Sequence, residues 1–175
     1  MKFSKLSQLF LVSTLGLIVA TLLTSCDIVT IDYVFVADSA GSGSGSAGQI
    51  QTFDADLSTG ALRSGAATVP SGGVNPVSMT ITSDYANLYV ANAGNSSVVH
   101  FDLSGSGILT QKDLVTVSTT PVAIAANAAN TYLYVISGTT SATLTEYSLS
   151  SGVIGSVVVC TRAESGTAVP LLPFT

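Results

Sequence analysis

Few side chains in this 175-residue sequence are of types that do chemistry. Thiols stand at Cys26 and Cys160, one imidazole at His100, and the cations are Lys2, Lys5, Arg63, Lys112 and Arg162. Hydrolysis of an acyl bond needs a general base and donors for the developing oxyanion. By type, His100, Glu146 and Arg63 are the catalytic candidates, although nothing in their spacing makes them converge. A lone histidine with no carboxylate cluster does not form a zinc site, so no metal and no cofactor is expected. The segment Asp54-Ala55-Asp56-Leu57-Ser58-Thr59-Gly60 hints at a calcium loop. It lacks the glycine at the sixth place and has Gly65 where the bidentate glutamate belongs, so it reads as an acidic turn between strands. The Gly/Ser tract from Gly41 to Gly48 has neither the Lys-Ser/Thr ending of a phosphate loop nor the phase of a nucleophile elbow. It reads as a long, flexible hairpin turn.

Cys26 has the clearest context. Lys2 and Lys5 form a positive start, and Leu9 to Leu23 is an apolar run too short and too early for an ordinary spanning helix. Leu23-Thr24-Ser25-Cys26 closes it and resembles the lipobox of bacterial lipoproteins, in which small side chains let an extended segment enter a protease and a thiol accepts diacylglycerol. The expectation is a signal peptide over 1–25, folded as a helix, then a lipidated Cys26 with a short linker over 26–32. Two or three acyl chains on one residue anchor a protein far more firmly than one. The expected location is therefore the cell envelope, membrane-anchored and facing the extracytoplasmic side. Past the signal only Arg63, Lys112 and Arg162 stand against ten acidic residues, which argues against nucleic acid and against electrostatic docking to anionic lipid. With Cys26 acylated, Cys160 has no intrachain partner and no disulfide framework exists.

The elements that would position these side chains are repeated strands. Tyr33-Val34-Phe35-Val36-Ala37-Asp38, Asn87-Leu88-Tyr89-Val90-Ala91-Asn92 and Tyr132-Leu133-Tyr134-Val135-Ile136-Ser137 match one another. Each is followed by a turn and a second strand: Gln49 to Asp54, Ser97 to Asp102 and Thr143 to Ser148. A third strand opens at Gly60-Ala61-Leu62, Gly107-Ile108-Leu109 and Gly152-Val153-Ile154. A fourth opens at proline, with Pro76 to Ile81 matching Pro121 to Ala126, and in both cases the next repeat's tyrosine, Tyr89 or Tyr134, lies 13 residues on. Proline is tolerated at a strand start because no ladder donor is needed there. Four short strands per repeat of about 45 residues mark a propeller blade. The predicted fold is all-β, an incomplete β-propeller of about two and a half to three four-stranded antiparallel blades over 33–159. Past Val159 the repeat stops. Residues 160–175 carry Pro170 and Pro173 and read as a non-repeat tail, frameshifted or disordered, and the chain as truncated.

The phrase Pro…Leu-Tyr-Val-Ala-Asn…Val-x-His-Phe-Asp-Leu…Gly-x-Leu…Thr-Pro resembles the lactonase-like seven-bladed β-propellers, the 6-phosphogluconolactonase and YVTN-repeat type, from roughly Tyr33 to Val159. The resemblance implies the fold and, as one function, hydrolysis of a lactone. The matching residues are blade-building ones, so no catalytic residue carries over. Thr52, His100 and Glu146 share one repeat position, and such a column reads as a solvated or loosely packed face. The recurring aromatics, Phe35, Tyr89 and Tyr134 and then Phe53, Phe101 and Tyr147, point to packing between blades. The three units read as near-identical, with no odd polar residue to break their symmetry. A binding or structural module is therefore the expected function, with a lactone hydrolase or a non-functional truncated product as alternatives. Open blade edges would favour self-association.

Overall fold

The computed structural model describes residues 31–39 and 47–162. The signal segment, Cys26 and the tail beyond Arg162 lie outside the described residues, as does most of the Gly41 to Gly48 tract. Twelve strands and no helix are found among the described residues: β1 (Ile31–Ser39), β2 (Ala47–Asp56), β3 (Leu62–Ser64), β4 (Val69–Val74), β5 (Pro76–Ile81), β6 (Asn87–Asn92), β7 (Ser97–Leu103), β8 (Leu109–Thr116), β9 (Pro121–Ala126), β10 (Tyr132–Ser137), β11 (Thr143–Ser150) and β12 (Val153–Arg162).

The strands form three antiparallel sheets. Blade 2 runs β5-β6-β7-β8 and blade 3 runs β9-β10-β11-β12, each a meander of sequence neighbours. Blade 1 contains β1 to β4, but β3 and β4 share one edge of β2: Phe53 to Ala55 pair with β3, and Ala47 to Ile50 pair with β4. They are two pieces of one interrupted outer strand. Among the described residues, blade 1 therefore has no counterpart of the proline-led strand of its siblings, and β1 pairs with β2 alone. This also corrects the phase of the repeat. The sequence pattern places each proline-led strand at the end of a unit, whereas Pro76 to Ile81 pairs with the strand after it, β6, and Pro121 to Ala126 with β10. The blade begins at its proline.

Alternation along β6 explains why blades stack. Leu88 and Val90 point one way, Tyr89 and Ala91 the other, and all four are fully buried. Leu88, Val90, Val99, Phe101 and Leu109 pack with Ile50, Phe35 and Ala37 of blade 1. Tyr89, Ala91 and Val98 pack with Ile124, Leu133, Val135, Tyr147, Leu149 and Ile154 of blade 3. A two-faced apolar strand needs a cover on each side, and blade 2 has both. The recurring aromatics behave as expected where a neighbour exists: Tyr89, Phe101 and Tyr147 are buried, while Phe53 and Tyr134 on the outer faces are half-buried. Hydroxyls complete the join near the proline-led strands. The Ile124 and Ala126 N–H groups donate to Ser78 Oγ and Thr80 Oγ1 at 3.2 and 3.3 Å, which satisfies an otherwise open edge of β9.

Candidate functional site

The column read as a solvated face is in fact interior. His100 is 1% exposed and Thr52 4%, because that position faces the next blade rather than water. Thr52 Oγ1 donates to the Gly107 carbonyl of blade 2 at 3.4 Å. One blade later, His100 lies against the Gly152 turn of blade 3. Glu146, which no blade covers among the described residues, is only half-buried.

The surroundings of His100 come from three strands and a turn. Cross-strand pairing sets Tyr89 beside it and Asn87 beside Asp102. The imidazole stacks on the Tyr89 ring, centroids 5.1 Å apart and planes 23° from parallel. On its other side β8 has an irregularity: Val99 pairs with Leu114 and Phe101 with Gln111, so Lys112 and Asp113 together stand opposite His100. Such a bulge re-aims side chains, and here Asp113 reaches the ring. His100 Nδ1 lies 2.5 Å from Asp113 Oδ1, and Nε2 lies 2.8 Å from Asn87 Oδ1. Both ring nitrogens thus face oxygen atoms. A doubly protonated ring donates to both; a neutral one satisfies both only with the Asn87 amide turned so that its nitrogen donates.

This cluster also ties two blades together. Asp113 Oδ2 accepts the Ile154 N–H at 3.2 Å, and the Tyr89 hydroxyl donates to the Gly152 carbonyl at 2.6 Å. Burial, then the carboxylates of Asp113, Asp84 and Asp102, push the Tyr89 phenol well above the ordinary tyrosine range. Gly152 has φ +83°, and a methyl group there would collide with the Asn87 side-chain oxygen and approach His100 Cε1 to 3.0 Å. Its repeat partner Gly107, φ +73°, is held in the same way against the Tyr33 ring.

Beside the cluster lies a cleft of about 660 Å³, within the usual size of small-molecule sites. Thr82, Asp84, Asn87, Asp102, Thr110 and Asn130 are among the residues that line it. Asp102 Oδ2 is paired with Lys112 Nζ at 2.8 Å. Hydrogen bonds from the Thr82 side chain and then the Ala86 amide hold the Asp84 carboxyl below its usual range. The Asn130 side-chain oxygen accepts the Ser83 N–H at 2.9 Å, joining the loops of blades 2 and 3 beside the cleft. The surface offers hydroxyls, amides and carboxylates, with no imidazole exposed to it.

The three catalytic candidates fall on three blades. Arg63 is exposed on β3 opposite Asp54, His100 is buried on β7, and Glu146 is on β11 opposite Tyr134. No hydrogen bond or ion pair joins any two of them among the described residues. No cluster of three metal-binding side chains occurs there either. The acidic turn reads as expected: Asp56 Oδ1 accepts from Ser58 Oγ at 2.6 Å, Ser58 N–H at 2.8 Å and Thr59 N–H at 3.2 Å. Symmetry between the units is broken after all. Asn87 stands where the other blades have Tyr33 and Tyr132, His100 where they have Thr52 and Glu146, and the two odd residues bond to each other. That pairing was the missed signal. Asp113 left none, because a bulge rather than a motif brings it in.

Three blade-like sheets stacked face to face in series define this chain as part of a β-propeller. Solved structures of other proteins share this arrangement of blades. The structure is similar to the periplasmic gluconolactonase of Pseudomonas aeruginosa (TM-score 0.56, 19% identity, 75% of this chain and 38% of that one). It is also similar to a Bacteroides fragilis protein described provisionally as a 6-phosphogluconolactonase (TM-score 0.55, 16% identity, 79% and 44%). A third is a functionally unknown protein from Desulfotomaculum acetoxidans (TM-score 0.57, 22% identity, 71% and 40%). The chain spans less than half the length of each. No family model and no curated protein matches it.

Proposed function

We propose that this chain is a lipid-anchored, extracytoplasmic binding module that takes a small polyhydroxylated molecule in the cleft between blades 2 and 3, and that His100 shapes the cleft without doing chemistry. The observation that carries the reading is the engagement of His100. Its ring is buried and both nitrogens are bonded, so it holds Asn87 and Asp113 in place, and Asp113 in turn takes the Ile154 N–H of blade 3. The cleft wall then offers the hydroxyls of Thr82 and Thr110, the Asn130 amide and the carboxylates of Asp84 and Asp102 to a ligand's hydroxyl groups. The signal-like start and Leu23-Thr24-Ser25-Cys26 support the anchor.

A second reading is hydrolysis of a sugar lactone, favoured by what two of the similar structures are called. Here a cleft carboxylate, Asp102 or Asp84, would be the base that activates water at the lactone carbonyl.

One experiment separates the two. The purified chain is titrated with D-glucose, D-gluconate and D-glucono-1,5-lactone by calorimetry, and acid release from the lactone is followed at constant pH. Saturable binding that is weakened at least tenfold by Asp84→Asn, with lactone opening no faster than in buffer, supports the binding module. Lactone opening above buffer that Asp102→Asn abolishes supports the hydrolase. No binding and no turnover defeats both. Cys26→Ser should release the protein from the membrane fraction, and continued retention would defeat the anchor.

A further inference from the structure

We propose that the chain assembles head to tail with a second copy of itself, the outer face of blade 1 in one copy seating on the outer face of blade 3 in the next. This goes beyond the cleft reading and does not depend on it.

The argument rests on equivalence between the two internal joins. At each, one blade offers the face carrying Phe35 and Ile50, or at the next join Tyr89 and Val98. The following blade answers with Leu88 and Val90, or Leu133 and Val135. The same repeat positions mate twice. Among the described residues, blade 3 ends the stack with the first kind of face uncovered, and blade 1 begins it with the second kind uncovered. Val36 is 43% exposed, whereas its counterparts Val90 and Val135 are fully buried. Leu144 is 40% exposed, whereas its counterparts Ile50 and Val98 are at most 1%. The two open faces are therefore the two halves of an interface the molecule already makes, and every copy carries both.

The turn glycines agree. At Gly107 and Gly152 an added methyl group would strike the preceding blade. At Gly60, the same repeat position with φ +71°, it would meet nothing within 4 Å. Blade 1 thus keeps a seat shaped for a preceding blade, and the face that fits it is the one bearing Ile136, Leu144 and Glu146. A contact between two different faces leaves one of each free, so it ends either in a closed ring or in a longer stack.

The test uses the full chain in a density-matched mild detergent, with sedimentation velocity as the readout. Wild type should sediment as a dimer or larger species in a concentration-dependent way. Val36→Asp spoils one face and Leu144→Asp the other; both positions are already exposed, so far-UV circular dichroism should not change. Each variant alone should sediment as a monomer. Mixed in equal amounts they should form a dimer, because the intact blade 3 face of the first meets the intact blade 1 face of the second. A monomeric wild type overturns the proposal. So does an oligomer that neither substitution disturbs, or a mixture that stays monomeric, which would mean that like faces pair.

Discussion

Gly60 and Gly152 occupy one repeat position with the same left-handed backbone, at φ +71° and +83°, yet they differ in what surrounds them. Replacing each by alanine separates backbone strain from contact between blades. At Gly60 only the strain is incurred, about 1–2 kcal/mol for an L-residue held in the left-handed region. At Gly152 the same strain is joined by a collision with Asn87 and a 3.0 Å approach to His100. Overpacking of a close contact adds about 1–3 kcal/mol. Displacing Asn87 leaves a buried polar partner unsatisfied, for a further 1–3 kcal/mol or so. Gly152→Ala should therefore cost about 3–8 kcal/mol against about 1–2 for Gly60→Ala. Urea unfolding followed by circular dichroism reads the difference as a shift in midpoint at constant slope. Equal midpoints for the two variants would refute the reasoning, because the clamp between blades 2 and 3 would then contribute nothing.

Two further outcomes follow from the same packing. Leu88 is fully buried between blades, whereas Val34, at the same repeat position, is 39% exposed on the outer face of blade 1. Leu88→Ala should cost about 2–5 kcal/mol and Val34→Ala under about 1 kcal/mol; comparable losses in urea unfolding would mean that blade 2 is not the covered one. Tyr89 has its phenol pushed up by burial and by nearby carboxylates, so the folded state keeps a proton that the unfolded chain gives up near pH 10. Its contribution is whole below that pH and falls as pH rises beyond it. Urea midpoints between pH 9 and 11 should drop less in Tyr89→Phe than in wild type, and parallel curves would show that Tyr89 is not the group responsible.

The architecture was legible in the sequence because it is made of local rules applied repeatedly. Short apolar runs rich in Val, Leu and Tyr, such as Leu88 to Ala91 and its counterparts, mark strands wherever turn residues bound them. Turn glycines at Gly60, Gly107 and Gly152 mark where each blade changes direction, and Pro76 and Pro121 mark strand starts. The shortage of strands could be counted too, but the sequence puts it in the last unit, whereas the pairing of Pro76 to Ile81 with β6 puts it in blade 1. Which strand a proline-led segment pairs with could not be read, since hydrogen-bond partners on either side are equally near in sequence.

The site was a different matter. His100 and Asn87 were visible as departures from the repeat, but their burial was not, because a residue's face on a strand says nothing about whether another sheet covers that face. Stacking decided it: blade 3 covers Val98 and His100, whereas nothing among the described residues covers Leu144 and Glu146 at the same positions. Asp113 reaches the imidazole only because two residues of β8 oppose one of β7, a slip in register that no motif announces. Local periodicity made the strands; contacts between residues far apart in the chain decided which polar groups lost their water.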